Sequence, residues 1–337
     1  MANNDPNNPG LNQETSHLDS WQFRSALISV FVAAAGYLGF SIWAGWVDVV
    51  SAFKLVDVIG FAIILGLALL NYLLRFLRWQ VYLSALQHRV AFFPSAVIYL
   101  AGFSLTTTPG KAGELLRGIF LKKRGMPYAS STAAFFSERL SDLFAMTVLA
   151  LLGVHQYKYG QFVTIGAVVV GICFLILLFS NFLTLFEKSL ATHSSKLAKL
   201  LLRVLRLLSK ARRCHTPLLI LVASILSVLA WSAEAYAFFL VLQWLGFEAT
   251  ISFAFTVYAL SVLAGALSFL PGGLGGAEVV MAGLLILAGM AETQAIAATV
   301  IIRLVTLWFA VALGAIAMIV GRRALRYDSN LQKSISS

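Results

Sequence analysis

Two short stretches hold most of the residues in this chain that could do polar chemistry. One reads Pro109-Gly110-Lys111-Ala112-Gly113-Glu114, the other Pro271-Gly272-Gly273-Leu274-Gly275-Gly276-Ala277-Glu278. In both, an arginine follows the glutamate by 25 positions: Arg139 after Glu114, and Arg303 after Glu278. Proline lacks the backbone donor a helix interior needs, and glycine is a poor helix former, so each stretch breaks a helix. The half-helix that follows presents unpaired N–H groups and roughly half a positive charge at its N-terminus. Such an end suits a phosphate or carboxylate. Lys111 and Arg117 beside the first break strengthen that preference. For one Pro-Gly pair alone, a kinked helix with a glycine packing face is the better explanation. Two copies with matched acids and bases favour function, because charges within a membrane are costly and mark a pathway.

Glu114 and Glu278 have three open uses. They pair with Arg139 and Arg303, within or between halves, and exchange partners as a carrier opens. They take up protons, since burial favours the neutral carboxyl. Or they lock the broken segments in static ion pairs. Glu138, Arg139 and Asp142 share about one helical turn, with Glu138 and Asp142 on one face. Arg75 and Arg78 share a face with Asn71, and either snorkel to the cytoplasmic surface or bind a headgroup. Glu234 is the only charge in its apolar segment and is expected to face an arginine.

Enzyme signals are thin. The five histidines (17, 88, 155, 193 and 215) fall in tails, loops or interfaces, and no cluster has metal-ligand spacing. Neither a GxSxG elbow nor a P-loop is present, and no cofactor or metal is expected. Asp48 and Asp57, read as an outer loop, would fit a glycosyltransferase acting on a lipid-linked sugar; the loop is only about ten residues long, so solvated loop acids fit better.

The elements that must hold these residues are membrane helices. Of 337 residues, 60% are hydrophobic and 12% charged, against about half and a quarter in a soluble domain. A span needs about 20 apolar residues. Segments of that kind run at about 23–46, 56–77, 130–154, 162–182, 218–245 and 295–320. Two more, at about 91–121 and 251–289, are broken at their Pro-Gly motifs and read as re-entrant hairpins. Residues 1–22 form a polar tail expected to be disordered, and 321–337 a basic one. Residues 185–216 hold eight Lys/Arg and one acid, and read as a basic amphipathic helix on the cytoplasmic leaflet.

Charge placement orients the chain. Setting the basic clusters inside puts 19 of the 25 Lys/Arg on the cytoplasmic side, as the positive-inside rule requires. The net charge of +11 is thereby a matter of topology rather than of nucleic acid. Both termini are then cytoplasmic at an inner membrane. Each half (about 23–154 and 162–320) reads span, span, hairpin, span. Three spans is odd, so the halves run in opposite senses. The fold class is all-α integral membrane, with six transmembrane helices and two re-entrant helical hairpins in an inverted repeat, an architecture of alternating-access carriers.

The residues also match a known pattern: Arg75-x-x-Arg78-Trp79, then Thr108-Pro109-Gly110-x-x-Gly113-Glu114-x-x-Arg117, Glu138-Arg139-x-x-Asp142, Leu270-Pro271-Gly272-Gly273-Leu274-Gly275-x-x-Glu278, and Arg303. This combination resembles the lysylphosphatidylglycerol synthase transmembrane region, or flippase-like family, over nearly the whole chain. The resemblance implies movement of a lipid between leaflets. In fused members a separate soluble domain makes the aminoacylated lipid; that domain, and with it synthase activity, is not expected here. The leading expectation is a flippase for an anionic, phosphate-bearing lipid of phospholipid, glycolipid or polyprenyl-phosphate type. The alternatives are a membrane enzyme, or a non-transporting partner of an enzyme, in lipid-linked glycan or phospholipid-headgroup synthesis.

Overall fold

A computed structural model describes residues 46–107, 112–153, 214–268 and 270–319, besides positions 39, 161, 164–166, 169, 171 and 321. Outside the described residues lie the N-terminal tail and most of the first span, most of the fourth span and of the basic segment 185–216, the C-terminal tail beyond 321, and Pro109, Gly110 and Lys111 of the first break.

Every regular element among the described residues is helical. Helix α1 is Trp46–Leu55 and α2 is Val58–Ala85. Helix α3, Phe92–Ala101, continues as a 3-10 turn to Leu105. Helix α4 is Ala112–Lys122 and α5 is Tyr128–Leu151. Helices α6, Pro217–Trp244, α7, Ile251–Leu267, and α8, Gly276–Leu287, follow. Helix α9 runs over Glu292–Ile319 and widens to a π-helix at Leu304–Trp308, directly after Arg303.

Helices α2, α6 and α9 have the length and apolar character to cross a membrane. Each has 28 residues, about 42 Å of helix. Helix α5 has 24 residues and the reach to cross, but carries Glu138, Arg139 and Asp142. The distribution of side chains is that of a protein in lipid. On α2 and α6 the exposed residues include Ile63, Leu69, Leu73, Leu221, Ile225 and Leu229, while Asn71, Arg78, Ser227 and Glu234 are buried. Lipid accepts the leucines, and only the protein interior can satisfy the polar groups.

Two sequence expectations are corrected. Residues 46–55, read as part of an outer loop, form α1, and Asp57 caps α2: its Oδ1 accepts the Gly60 N–H at 2.7 Å. The second span does not end at residue 77. Helix α2 continues for two more turns, so Arg75 and Arg78 lie within it rather than at a snorkelling end. They stay there because a carboxylate from α5, not water, compensates them.

Among the described residues, several features of the second half match the first. Helices α2 and α6 both have 28 residues, and each is followed by six linking residues. Their C-terminal caps match. Gln87 (φ 62) and Gly246 (φ 77) are left-handed, and His88 N–H to Leu83 O repeats as Phe247 N–H to Leu242 O. Gly125 and Gly289 close α4 and α8 in the same way, with Met126 and Met290 next in line. These are Schellman ends, which need a residue tolerant of positive φ.

Side chains keep the same register. Tyr72 and Trp231 are each the fifteenth residue of their helix, and Asp142 and Thr306 each the fifteenth of theirs. The Tyr72 hydroxyl donates to Thr306 O at 2.5 Å, and Trp231 Nε1 donates to Asp142 Oδ1 at 2.9 Å. One contact is thus made twice, with the halves exchanged. Helices α2 and α6 pack most extensively with each other, and they run antiparallel. Gly60 near the start of α2 lies against Trp244 at the end of α6, Asn71 Nδ2 donates to Ala230 O at 2.8 Å, and Arg78 meets Ser227. The partner's number falls as the number on α2 rises. Helix α3 packs on α4, and α7 on α8.

Candidate functional site

The polar residues of the interior form three adjoining groups along the α2–α5–α6 contact and the broken segments. The first is built on Asp142 of α5. Arg78 of α2 is fully buried; its Nη1 donates to Asp142 Oδ1 at 2.8 Å and to Ser227 Oγ at 2.6 Å. Arg139, one turn from Asp142 on α5, brings Nη2 to 3.1 Å from Oδ2. Arg75 reaches the same oxygen only at 3.9 Å. Its guanidinium lies instead over the Trp231 ring at 4.9 Å and the Phe103 ring at 5.7 Å. Three guanidinium groups therefore share one carboxylate. Nε of Arg75, and Nε and Nη2 of Arg78, are buried with no hydrogen-bond partner among the described residues.

Such an arrangement is unstable by itself. An ionised group taken out of water needs a partner, and removing one from a buried pair costs about 3–5 kcal/mol. The aromatic faces offset part of the deficit for Arg75, about 2 kcal/mol or more where desolvated. A fork of unfilled N–H donors in a low-dielectric interior is complementary to a phosphate or carboxylate oxygen. Ten residues, about 15 Å of helix, separate Arg75 from the end of α2 at Ala85.

The second group pairs Arg117 of α4 with Glu138 of α5, Nη1 to Oε2 at 3.0 Å. The Arg117 guanidinium lies 5.0 Å from the Trp79 ring and 5.0 Å from the Tyr99 ring. A side chain can pass there because residue 102 is glycine: a Cβ at Gly102 would meet Arg117 Nε and Cγ within 3.0 Å. Gly113 of α4 faces the Gly102 carbonyl in the same crossing, and a Cβ there would strike it. The geometry thus gives Gly113 a packing role. The Glu114 backbone is helical, and its side chain lies outside the described residues.

The third group closes the second break. Glu278 is the third residue of α8, as Glu114 is of α4. Its Oε2 accepts the Gly275 N–H at 2.7 Å, and its Oε1 accepts Arg303 Nε at 2.6 Å. Arg303 Nη2 also donates to Gly272 O at 3.0 Å. Gly272 (φ 65) and Gly275 (φ 86) sit in left-handed backbone that a larger residue would strain; Gly273 packs directly on Gly265, and Pro271 opens the turn. The half-helix N-terminus anticipated as a bare anion site is thus capped by its own carboxylate, and Arg303 clips that carboxylate to the turn.

Glu234 departs from its expectation. It is buried, and its partner is the Tyr258 hydroxyl, 2.6 Å from Oε2, rather than an arginine. Arg139 contacts Asp142; its expected pairing with Glu114 involves a side chain outside the described residues. The structure adds residues that sequence reasoning passed over: Trp231, Phe103, Tyr99, Ser227 and Tyr258. Aromatic residues in apolar helices carry no signal of their own. The register of the two halves does: Tyr99 and Tyr258 are both the eighth residue of their helix. Among the described residues no group of three or more His, Cys, Asp or Glu could hold a metal ion. Asp57, weighed as an enzyme acid, is engaged as a helix cap.

Comparison with known proteins gives a family. The model of the lysylphosphatidylglycerol synthase TM region matches residues 26–314. A UPF0104 membrane protein of Pyrococcus horikoshii is 22% identical over 319 residues, covering 84% of this chain and 93% of that one. A UPF0104 membrane protein of Methanothermobacter thermautotrophicus is 39% identical over 92 residues, 27% of this chain and 28% of that protein.

Proposed function

The chain belongs to the family of the lysylphosphatidylglycerol synthase TM region, and from that premise we propose that it moves an anionic, phosphate-bearing lipid between leaflets by alternating access. The observation that carries this reading is the excess of cations around Asp142: the buried Arg78, the largely covered Arg75 and the half-exposed Arg139 on a single carboxylate, with buried donors of Arg75 and Arg78 unfilled. A headgroup phosphate supplies the missing charge and accepts those donors, while its acyl chains stay against the exposed leucines.

The matching registers and the antiparallel contact of α2 with α6 support an inverted repeat of two three-span units, each with a re-entrant hairpin. Alternating access then follows from exchange of conformation between units around a fixed central site. The two breaks supply the moving parts. Arg303, Glu278 and Gly272 form one clip; Arg117 and Glu138 hold the hairpin of the other half. In this reading both termini are cytoplasmic at an inner membrane, and the basic segment 185–216 lies on the anionic leaflet. The family model covers a transmembrane region, so an aminoacyl-transfer reaction is no part of the proposal.

The test is leaflet exchange in liposomes. The full-length protein is reconstituted with labelled phosphatidylglycerol, phosphatidylcholine and a polyprenyl phosphate in separate preparations, and the label remaining accessible to an external quencher is followed. Anionic lipids should exchange faster than phosphatidylcholine. Arg75→Gln should slow them about tenfold or more, the loss of one charge-assisted hydrogen bond. Exchange no faster than in protein-free liposomes for every lipid would refute the reading.

A further inference from the structure

Four carboxylates of the interior are described, and three face an arginine. Glu138 meets Arg117 at 3.0 Å, Asp142 meets Arg78 at 2.8 Å, and Glu278 meets Arg303 at 2.6 Å. Glu234 is the exception: it is as buried as these, and among the described residues its partner is the neutral hydroxyl of Tyr258. Its position is also singular. Glu234 is the eighteenth residue of α6, and Arg75 is the eighteenth of α2. The two halves therefore place a base and an acid at one equivalent site beside their mutual contact, Asn71 against Ala230.

The charged and titratable groups around Glu234 come from every helix packed on α6. They are Tyr72 and Arg75 of α2, Asp142 of α5, Tyr258 of α7 and Arg303 of α9. Neither arginine is at ion-pair distance: Arg303 is engaged by Glu278, and Arg75 lies against Trp231 and Phe103. An ionised carboxylate in that setting lacks the partner that burial demands, and the general resolution is to bind a proton.

We propose that Glu234 is a proton-binding site, a carboxylic acid in the conformation described, whose ionisation draws Arg75 or Arg303 to it and so couples proton movement to the exchange of the two halves. A proton from water on the open side adds to the carboxylate and gives the neutral acid, with Tyr258 donating to its other oxygen. Release of that proton restores the anion, which then competes with Asp142 for Arg75 or with Glu278 for Arg303. The coupling half of this inference rests on the transport reading above; the proton site does not.

Two measurements separate them. Infrared spectra of the purified full-length protein are compared with those of Glu234→Gln and Tyr258→Phe. A carboxylic-acid carbonyl band should be present in the wild type, be lost in Glu234→Gln, and move to higher frequency in Tyr258→Phe, which keeps the acid and removes its donor. A spectrum identical in all three overturns the proton site. Lipid exchange in liposomes is then followed across pH. A pH dependence in the wild type that is abolished in Glu234→Gln, with exchange itself retained, supports coupling; one that persists in the variant overturns it. An acid band at Glu234 with no exchange of any lipid overturns the transport reading and leaves the proton site standing.

Discussion

Replacing Asp142 by Asn tests the central electrostatic claim most directly. The amide keeps the shape of the side chain and an oxygen that accepts from Trp231 Nε1 and Arg78 Nη1, bonds now made at 2.9 and 2.8 Å. It removes the only negative charge within 4 Å of Arg75, Arg78 and Arg139 among the described residues. Of these, Arg78 sets the magnitude because it is wholly buried, and leaving such a charge uncompensated costs about 3–5 kcal/mol. Arg139 adds little, since its side chain is 36% exposed and partly screened. At about 2 °C per kcal/mol for a large domain, the unfolding midpoint in detergent should fall by roughly 6–10 °C. Arg78→Met in the same background should restore much of that loss, because it removes the charge that Asp142 compensates. An Asp142→Asn protein within about 2 °C of wild type, or a cycle with Arg78→Met whose coupling is below about 1 kcal/mol, would refute the claim that one carboxylate holds three cations.

The remaining predictions concern packing, caps and the thiol. Gly102→Ala should destabilise by about 1–3 kcal/mol, the usual range for overpacking, since its methyl would collide with the Arg117 side chain; a thermal melt checks this, and Arg117→Ala in the same chain should relieve it. Gln87→Gly should stabilise by about 1 kcal/mol, because Gln87 holds φ 62 where its counterpart is Gly246; an unchanged or lowered melting temperature would count against the cap. Cys214 is buried, and burial pushes its thiol up from 9.0 to about 11. Below pH 9 the thiolate population should then be about 100-fold lower than for a free thiol. In a Cys173→Ser background, maleimide should label Cys214 slowly until the protein is denatured.

The spans were legible because hydrophobic length is a local property. The ranges expected at 218–245 and 295–320 agree with α6 and α9 to within a few residues. The Glu278–Arg303 pair was also within reach, since its 25-residue spacing recurs. The end of the second span was misjudged because two arginines in sequence look like a helix terminus. Only a carboxylate 64 positions away shows why they are tolerated inside. Glu234 was misjudged for the complementary reason. A lone acid in an apolar helix suggests a cation nearby, and nothing local reveals that the neighbour on α7 is a tyrosine.

By itself, the sequence determined that this is a helical membrane protein with a duplicated pattern of breaks, acids and bases, because apolar length, helix breakers and spacing act within a few turns of chain. Only the tertiary structure decided which acid meets which base. Partner choice depends on the antiparallel seating of α2 on α6 and on α5 packed against both, which brings Arg75, Arg78 and Arg139 to one aspartate and leaves Glu234 with a hydroxyl.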